Sequence, residues 1–107
     1  IIYTNGTAPY AKDVLNALEI RSVFDAIYGV ENAGYFPKPE PQAFERIFER
    51  DGISTQNAAM FEDDPKNLLA PKSFGMRTIL VADSDVKKPD HVDFVTTDLT
   101  DFLRQIV

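Results

Sequence analysis

Glu62, Asp63 and Asp64 stand in a row directly behind the apolar run at 58–61, with Asn67 shortly after them. Carboxylates this close repel one another, so the cluster is either a solvated turn whose last acid caps a helix or a place for a hard cation. An ion such as Mg²⁺ takes one or two carboxylates and keeps several waters, so a single Asp at a strand end is enough to anchor it. Two other polar groups also follow short apolar runs. Thr4 and Asn5 come behind Ile1, Ile2 and Tyr3, and Lys38 lies between Pro37 and Pro39, downstream of the run at 26–30. A hydroxyl, an ammonium and carboxylates together suit phosphate-ester chemistry, in which charge developing on phosphoryl oxygens is met by fixed donors and a cation. Thr4 and nearby backbone N–H groups can hold phosphate oxygens, and Lys38 can neutralise the anion and offset repulsion among the acids.

Each residue also has a plainer reading. Thr4 and Asn5 suit a turn, Lys38 a solvated loop, and the acids an exposed bend. His91, in a polar stretch, reads as exposed; Tyr35 and Phe36 read as buried loop anchors, and Lys87 and Lys88 as a solvated turn.

The elements that would carry these residues alternate. A strand at 1–4 ends in the turn chemistry of Asn5 and Gly6, and Ala11, Val14, Leu15 and Leu18 mark one face of a helix over 8–19. A strand at 26–30 precedes the prolines of 36–41, which hold the chain extended. Pro41 suits the first turn of a helix with Phe44, Ile47 and Phe48 on its face, and Gly52 suits its C-terminal cap. Behind the strand at 58–61, Asp64 can cap a helix that has Pro65 first and ends before Gly75, bending at Pro71. The run at 77–82 is uninterrupted and apolar, as expected of a parallel strand covered on both faces; a weaker strand follows at 91–95. Asp98 then caps a helix with Leu99, Phe102, Leu103 and Ile106 on one face. Such alternation implies crossover units, a parallel sheet and ligand binding at the carboxyl ends of the strands, where Thr4, Lys38 and Asp63 all fall.

Composition narrows the function classes. Residues 1–107 fit one domain of ordinary globular composition, with eight Phe and four Tyr arguing against disorder. A net charge of −6, with 11 scattered Lys and Arg, disfavours nucleic acid as a partner. There is no cysteine, and neither a membrane span nor a signal pattern is visible. A cytoplasmic protein is the expectation.

The motifs as a set resemble the haloacid dehalogenase superfamily. IIYTNGT resembles its second motif, Lys38 in PKPEPQAF its third, and FEDDPKNLLAPKSFGMRTILV its fourth. The phrases YTNG, FEDxxxNL and FGMRT are most similar to those of pyrimidine 5′-nucleotidases within it, and the resemblance covers nearly the whole chain. It implies a Rossmann-like three-layer αβα fold around a parallel sheet, and a Mg²⁺-dependent phosphatase working through an aspartyl-phosphate. Thr4 would bind the substrate phosphate with the Asn5 backbone, Lys38 would steady the phosphoryl group and the nucleophile, and Asp63 would bind Mg²⁺. Glu62 and Asn67 would shape the loop and contact Lys38, while Asp64 would be a helix cap first and a water-mediated metal contact second.

The departure from the family pattern is as informative. The family's Asp-x-Asp motif and helical cap would come before Thr4, and neither does here. Residues 1–107 are therefore expected to be the C-terminal portion of such a core, inactive alone, with an N-terminal segment of the same protein as its partner. In the family's strand order 5-4-1-2-3, this chain would supply 2 and 3 on one side and 4 and 5 on the other. Unpaired edges would then leave the isolated polypeptide without a cooperative thermal transition. The alternatives are a phosphatase for another small ester, such as phosphoglycolate, or a non-catalytic α/β module that binds a partner or senses phosphate.

Overall fold

A computed structural model describes residues 1–106. Among these residues five short strands and four α-helices follow in turn, except that β4 runs to β5 without a helix between: β1 (Ile2–Tyr3), α1 (Ala8–Ala17), β2 (Ile27–Tyr28), α2 (Pro41–Asp51), β3 (Ala59–Glu62), α3 (Leu69–Ser73), β4 (Arg77–Val81), β5 (Phe94–Thr96) and α4 (Leu99–Ile106). All strand pairs are parallel, so the α/β class and the crossover pattern expected from sequence are what the chain adopts. The strands form two sheets, β1-β2 and β3-β4-β5, and the chain divides into two compact units at Ile53 and Ser54.

In the first unit, two residues per strand suffice to sort the faces. Ile2 pairs with Ile27 and Tyr3 with Tyr28, so alternation turns the isoleucines one way and the tyrosines the other. Ile2 and Ile27 pack with Ala8, Ala11 and Leu15 of α1. Tyr3 meets Phe44 of α2 edge-on at 5.7 Å, and the Tyr28 hydroxyl donates to Asp51 at the end of α2 at 2.7 Å. That carboxylate, by accepting the bond, pushes the Tyr28 phenol above its ordinary range. Helices thus cover both faces. Pro41 opens α2, and Gly52 closes it at φ 75°, in the left-handed region that glycine enters without strain.

The second unit repeats the arrangement. In register, Phe61, Ile79 and Phe94 share one face, and Phe102 of α4 packs on Phe61 and Phe94 at 5.9 and 5.8 Å. Leu80 packs on the opposite face with Leu68 and Val92, flanked by Met60 and Val95. The expected helix behind Asp64 forms in two pieces, a 3-10 turn at Pro65–Leu68 and then α3. Pro71 is the third residue of α3, within the first turn, where a missing N–H leaves no intrahelical bond unmade; the split takes the place of a bend. The weaker strand forms at 94–96, later than the 91–95 expected, because His91 and Asp93 are held by other groups. Among the described residues no helix is long and apolar enough to cross a membrane.

Asp93 organises this unit. Its side chain is 17% exposed and accepts from Lys72 Nζ at 2.7 Å, from Thr78 N–H at 2.9 Å and from Thr78 Oγ1 at 3.3 Å. The Lys72 ammonium first, and then the Thr78 amide, hold its carboxyl below the usual aspartate range. The unfolded chain therefore binds this proton more readily than the folded one. The stabilisation is fully present above the unfolded value of about 4 and is lost as pH falls through the folded value. Asp93→Asn in the full-length protein is expected to cost about 1–3 kcal/mol at pH 7 and to flatten the fall in stability below about pH 4. Denaturant titrations at a series of pH values check this; parallel curves for the two proteins contradict it.

Candidate functional site

The first cluster is built at the carboxyl end of the first sheet. Thr4 directly follows β1, and its N–H donates to Tyr28 O at 3.0 Å, so the residue after the strand is still pinned to β2. Thr4 Oγ1 accepts from Gly6 N–H at 3.1 Å, which uses an acceptor position of the hydroxyl and leaves its hydrogen able to donate outward. The Asn5 N–H has no hydrogen-bond partner among the described residues. The N-terminus of α1 is already satisfied. Ala8 N–H donates to Glu31 Oε1 at 2.7 Å, and Tyr10 N–H donates to the Thr7 hydroxyl at 3.4 Å. An anion would meet the turn before the helix, Thr4 to Gly6, in preference to the helix end.

This turn is clamped from the β2 side. Val30 N–H donates to Gly6 O at 2.8 Å, and Gly29 passes so close that a Cβ there would lie 2.3 Å from Ala8 N and 2.7 Å from Gly6 O. Gly29→Ala should destabilise the full-length protein by about 1–3 kcal/mol through overpacking against backbone that cannot step aside. An unchanged denaturation midpoint would show that the loop yields freely.

Lys38 arrives at the same turn from the loop before α2. Its N–H donates to Asn5 Oδ1 at 2.7 Å, and Asn5 Nδ2 donates to Lys38 O at 3.3 Å. Its ammonium donates to Tyr3 O at 3.3 Å and lies 5.1 Å from the centre of the Tyr3 ring, a cation-π distance. The peptide bond between Lys38 and Pro39 is cis. Thr4, Asn5 and Lys38, named from sequence, are thus brought together. Tyr35, read as a buried anchor, is instead 75% exposed with φ 65°, since Gly34 and Tyr35 both take left-handed backbone to turn the chain. Phe36, partly buried, does anchor the loop, with the Arg46 guanidinium 5.5 Å from its ring centre.

The second cluster is at the carboxyl end of β3. Its three acids divide their work. Glu62 Oε1 accepts from Asp63 N–H at 3.2 Å, and Asp64 Oδ1 accepts from Lys66 N–H at 3.1 Å, capping the 3-10 turn. The Asp64 pairing with Lys66 at 3.5 Å is solvent-exposed and adds little. Asp63 is exposed, and its carboxylate has no hydrogen bond or ion pair among the described residues. Asn67 is 8% exposed, and its Oδ1 is buried with no hydrogen-bond partner there.

A free carboxylate and an orphaned amide oxygen at one loop are hard oxygen donors of the kind Mg²⁺ takes. Among the described residues no three His, Cys, Asp or Glu side chains group closely enough to cage an ion. Asp63 supplies one carboxylate, so an ion held there would need waters and other groups to complete its shell.

Sequence reasoning missed three contributors. His91, read as exposed, is partly buried, and its Nε2 lies 2.7 Å from Pro65 O, tying the loop before β5 to the acidic loop. Glu31 and Gly29 carried no local signal, because each acts on α1 from across the turn. Asp83 and Asp85 have Asp-x-Asp spacing but follow β4, and both are exposed.

Parallel strands with polar loops at their carboxyl ends are the layout of a broad class of α/β enzymes and binding proteins. Residues 1–81 match the model of the haloacid dehalogenase-like hydrolases, and the chain belongs to that family. Over 70 residues it is 36% identical to (DL)-glycerol-3-phosphatase 2 of Arabidopsis thaliana, an alignment covering 61% of this chain and 29% of that protein. Its fold is similar to that of an L-2-haloacid dehalogenase (TM-score 0.79, 20% identity, 98% of this chain and 49% of that one). It is similar also to a HAD phosphatase from Thermococcus onnurineus (TM-score 0.76, 24% identity, 91% and 45%). The chain spans about half the length of these two structures and under a third of the plant relative.

Proposed function

We propose that the protein carrying this chain is a Mg²⁺-dependent phosphatase of small phosphate monoesters. The observation that carries the reading is the joining of Thr4, Asn5 and Lys38 at the end of β1. The Thr4 hydroxyl and the Asn5 N–H donate to phosphoryl oxygens, and the Lys38 ammonium meets the negative charge that grows on them. Asp63, with its free carboxylate, would hold Mg²⁺, and Asn67 Oδ1, a buried acceptor without a partner among the described residues, would be a neutral oxygen donor from the same segment. When bound, the ion would neutralise phosphoryl charge and help orient the ester. The family resemblance assigns the attack on phosphorus to an aspartate outside residues 1–107, through an aspartyl-phosphate.

For the substrate, the phrases YTNG, FEDxxxNL and FGMRT favour nucleoside 5′-monophosphates, pyrimidine ones first. The 36% identity to a plant glycerol-3-phosphatase favours a second reading, a small alkyl phosphate such as glycerol phosphate. Both need the same donors and differ in what holds the leaving group. Release of inorganic phosphate from UMP, glycerol 3-phosphate and phosphoglycolate by the full-length protein, with Mg²⁺ and with EDTA, separates them. The proposal requires Mg²⁺-dependent turnover of at least one. No turnover of any ester would favour a phosphate-sensing or partner-binding module instead.

A further inference from the structure

Asn5 entered the site as a neighbour of Thr4 that lends a backbone N–H. Its side chain has a different employment. Between residues 37 and 39 the chain reads Pro-Lys-Pro, so the N–H of Lys38 is the only backbone donor with which that stretch can be fastened. Asn5 Oδ1 takes it at 2.7 Å, and Asn5 Nδ2 returns a bond to Lys38 O at 3.3 Å, from 33 residues away in sequence. A single amide thus grips the N–H and the C=O of one residue, the two peptide groups that flank its Cα, and fixes where the lysine leaves the backbone. Asn5 itself is fixed from behind. Thr4 N–H is bonded to Tyr28 O, Thr4 Oγ1 accepts from Gly6 N–H, and Gly6 O accepts from Val30 N–H.

We propose that Asn5 is the positioning residue for Lys38, its side-chain amide setting the lysine ammonium relative to the Thr4 hydroxyl. The inference rests on the catalytic reading of Lys38. Asn5 is exposed, so removing its side chain leaves no cavity and has little reason to disturb the core. The lysine stem has many rotamers, and displacement of a charged group by about 1 Å can cost about 10²-fold in rate.

A double-mutant cycle tests this in the full-length protein with Mg²⁺, following phosphate release from whichever of UMP and glycerol 3-phosphate turns over faster. Asn5→Ala is expected to lower kcat about 10- to 100-fold without moving the thermal midpoint, and to have less than about a twofold effect when Lys38 is already alanine. If Lys38→Ala is slow but Asn5→Ala costs the same factor in both backgrounds, Asn5 acts independently of Lys38 and the inference is overturned. It is equally overturned if Asn5→Ala is as fast as the parent, or fails to unfold cooperatively where the parent does, since Asn5 would then serve the fold. If Lys38→Ala alone keeps near-normal turnover, the catalytic reading of Lys38 is what has failed.

Discussion

Lys38→Ala is expected to lower kcat of the full-length protein by about 10²- to 10³-fold, the range for losing one preorganised donor to transition-state charge. The expectation follows from how the side chain is held. Its peptide is gripped by Asn5, and its ammonium rests on the Tyr3 carbonyl and over the Tyr3 ring. Such a charge needs little reorganisation when the phosphoryl oxygens become more negative, so its loss falls on kcat more than on KM. Lys38→Arg should recover part of the rate, because charge returns but the longer planar head cannot occupy the same point. Steady-state kinetics with the favoured ester decide the matter. A kcat within about threefold of the parent would remove Lys38 from the chemistry.

Asp63→Asn is expected to reduce turnover at sub-saturating Mg²⁺ by about 10³-fold and to move the Mg²⁺ titration to higher concentration. Shape is kept and one charge is lost. Asp63 is the acid to test because its neighbours are engaged, Glu62 with the Asp63 N–H and Asp64 with the Lys66 N–H. Its side chain is exposed and has no hydrogen bond or ion pair among the described residues, so the thermal midpoint should not change. An unaltered Mg²⁺ dependence would reassign the ion to other residues, and a fall in stability without a kinetic effect would make Asp63 a structural residue.

The local patterns that proved legible are those whose cause is local. Pro41 and Gly52 bound α2 because each meets its backbone requirement on its own, and the continuous run of β4 reflects cover on both faces. What escaped the sequence reading depends on distant partners. The second strand, expected over 26–30, stops at Tyr28 because Gly29 must pass the α1 N-terminus and Val30 must bond Gly6. His91 and Asp93, expected inside a strand, serve Pro65 and Thr78 instead. In the candidate site, the positions of Thr4 and Asp63 directly behind apolar runs anticipated that each follows a strand, and the fold adds the bonds that bring Lys38 to Asn5. The cap at Asp64 was readable too, since an acid before Pro65 is a local signal. That Asp63 would be left free, or that Asn5 would spend its side chain on Lys38, has no signature shorter than the fold itself.

The most direct test is a crystal structure of the full-length protein with Mg²⁺ and orthovanadate as a mimic of the transferring phosphoryl group. Thr4 Oγ1 and Lys38 Nζ should lie within hydrogen-bonding distance of vanadate oxygens, with Asp63 coordinating the ion. Vanadate bound away from Thr4 or Lys38, or Mg²⁺ bound away from Asp63, would contradict the account.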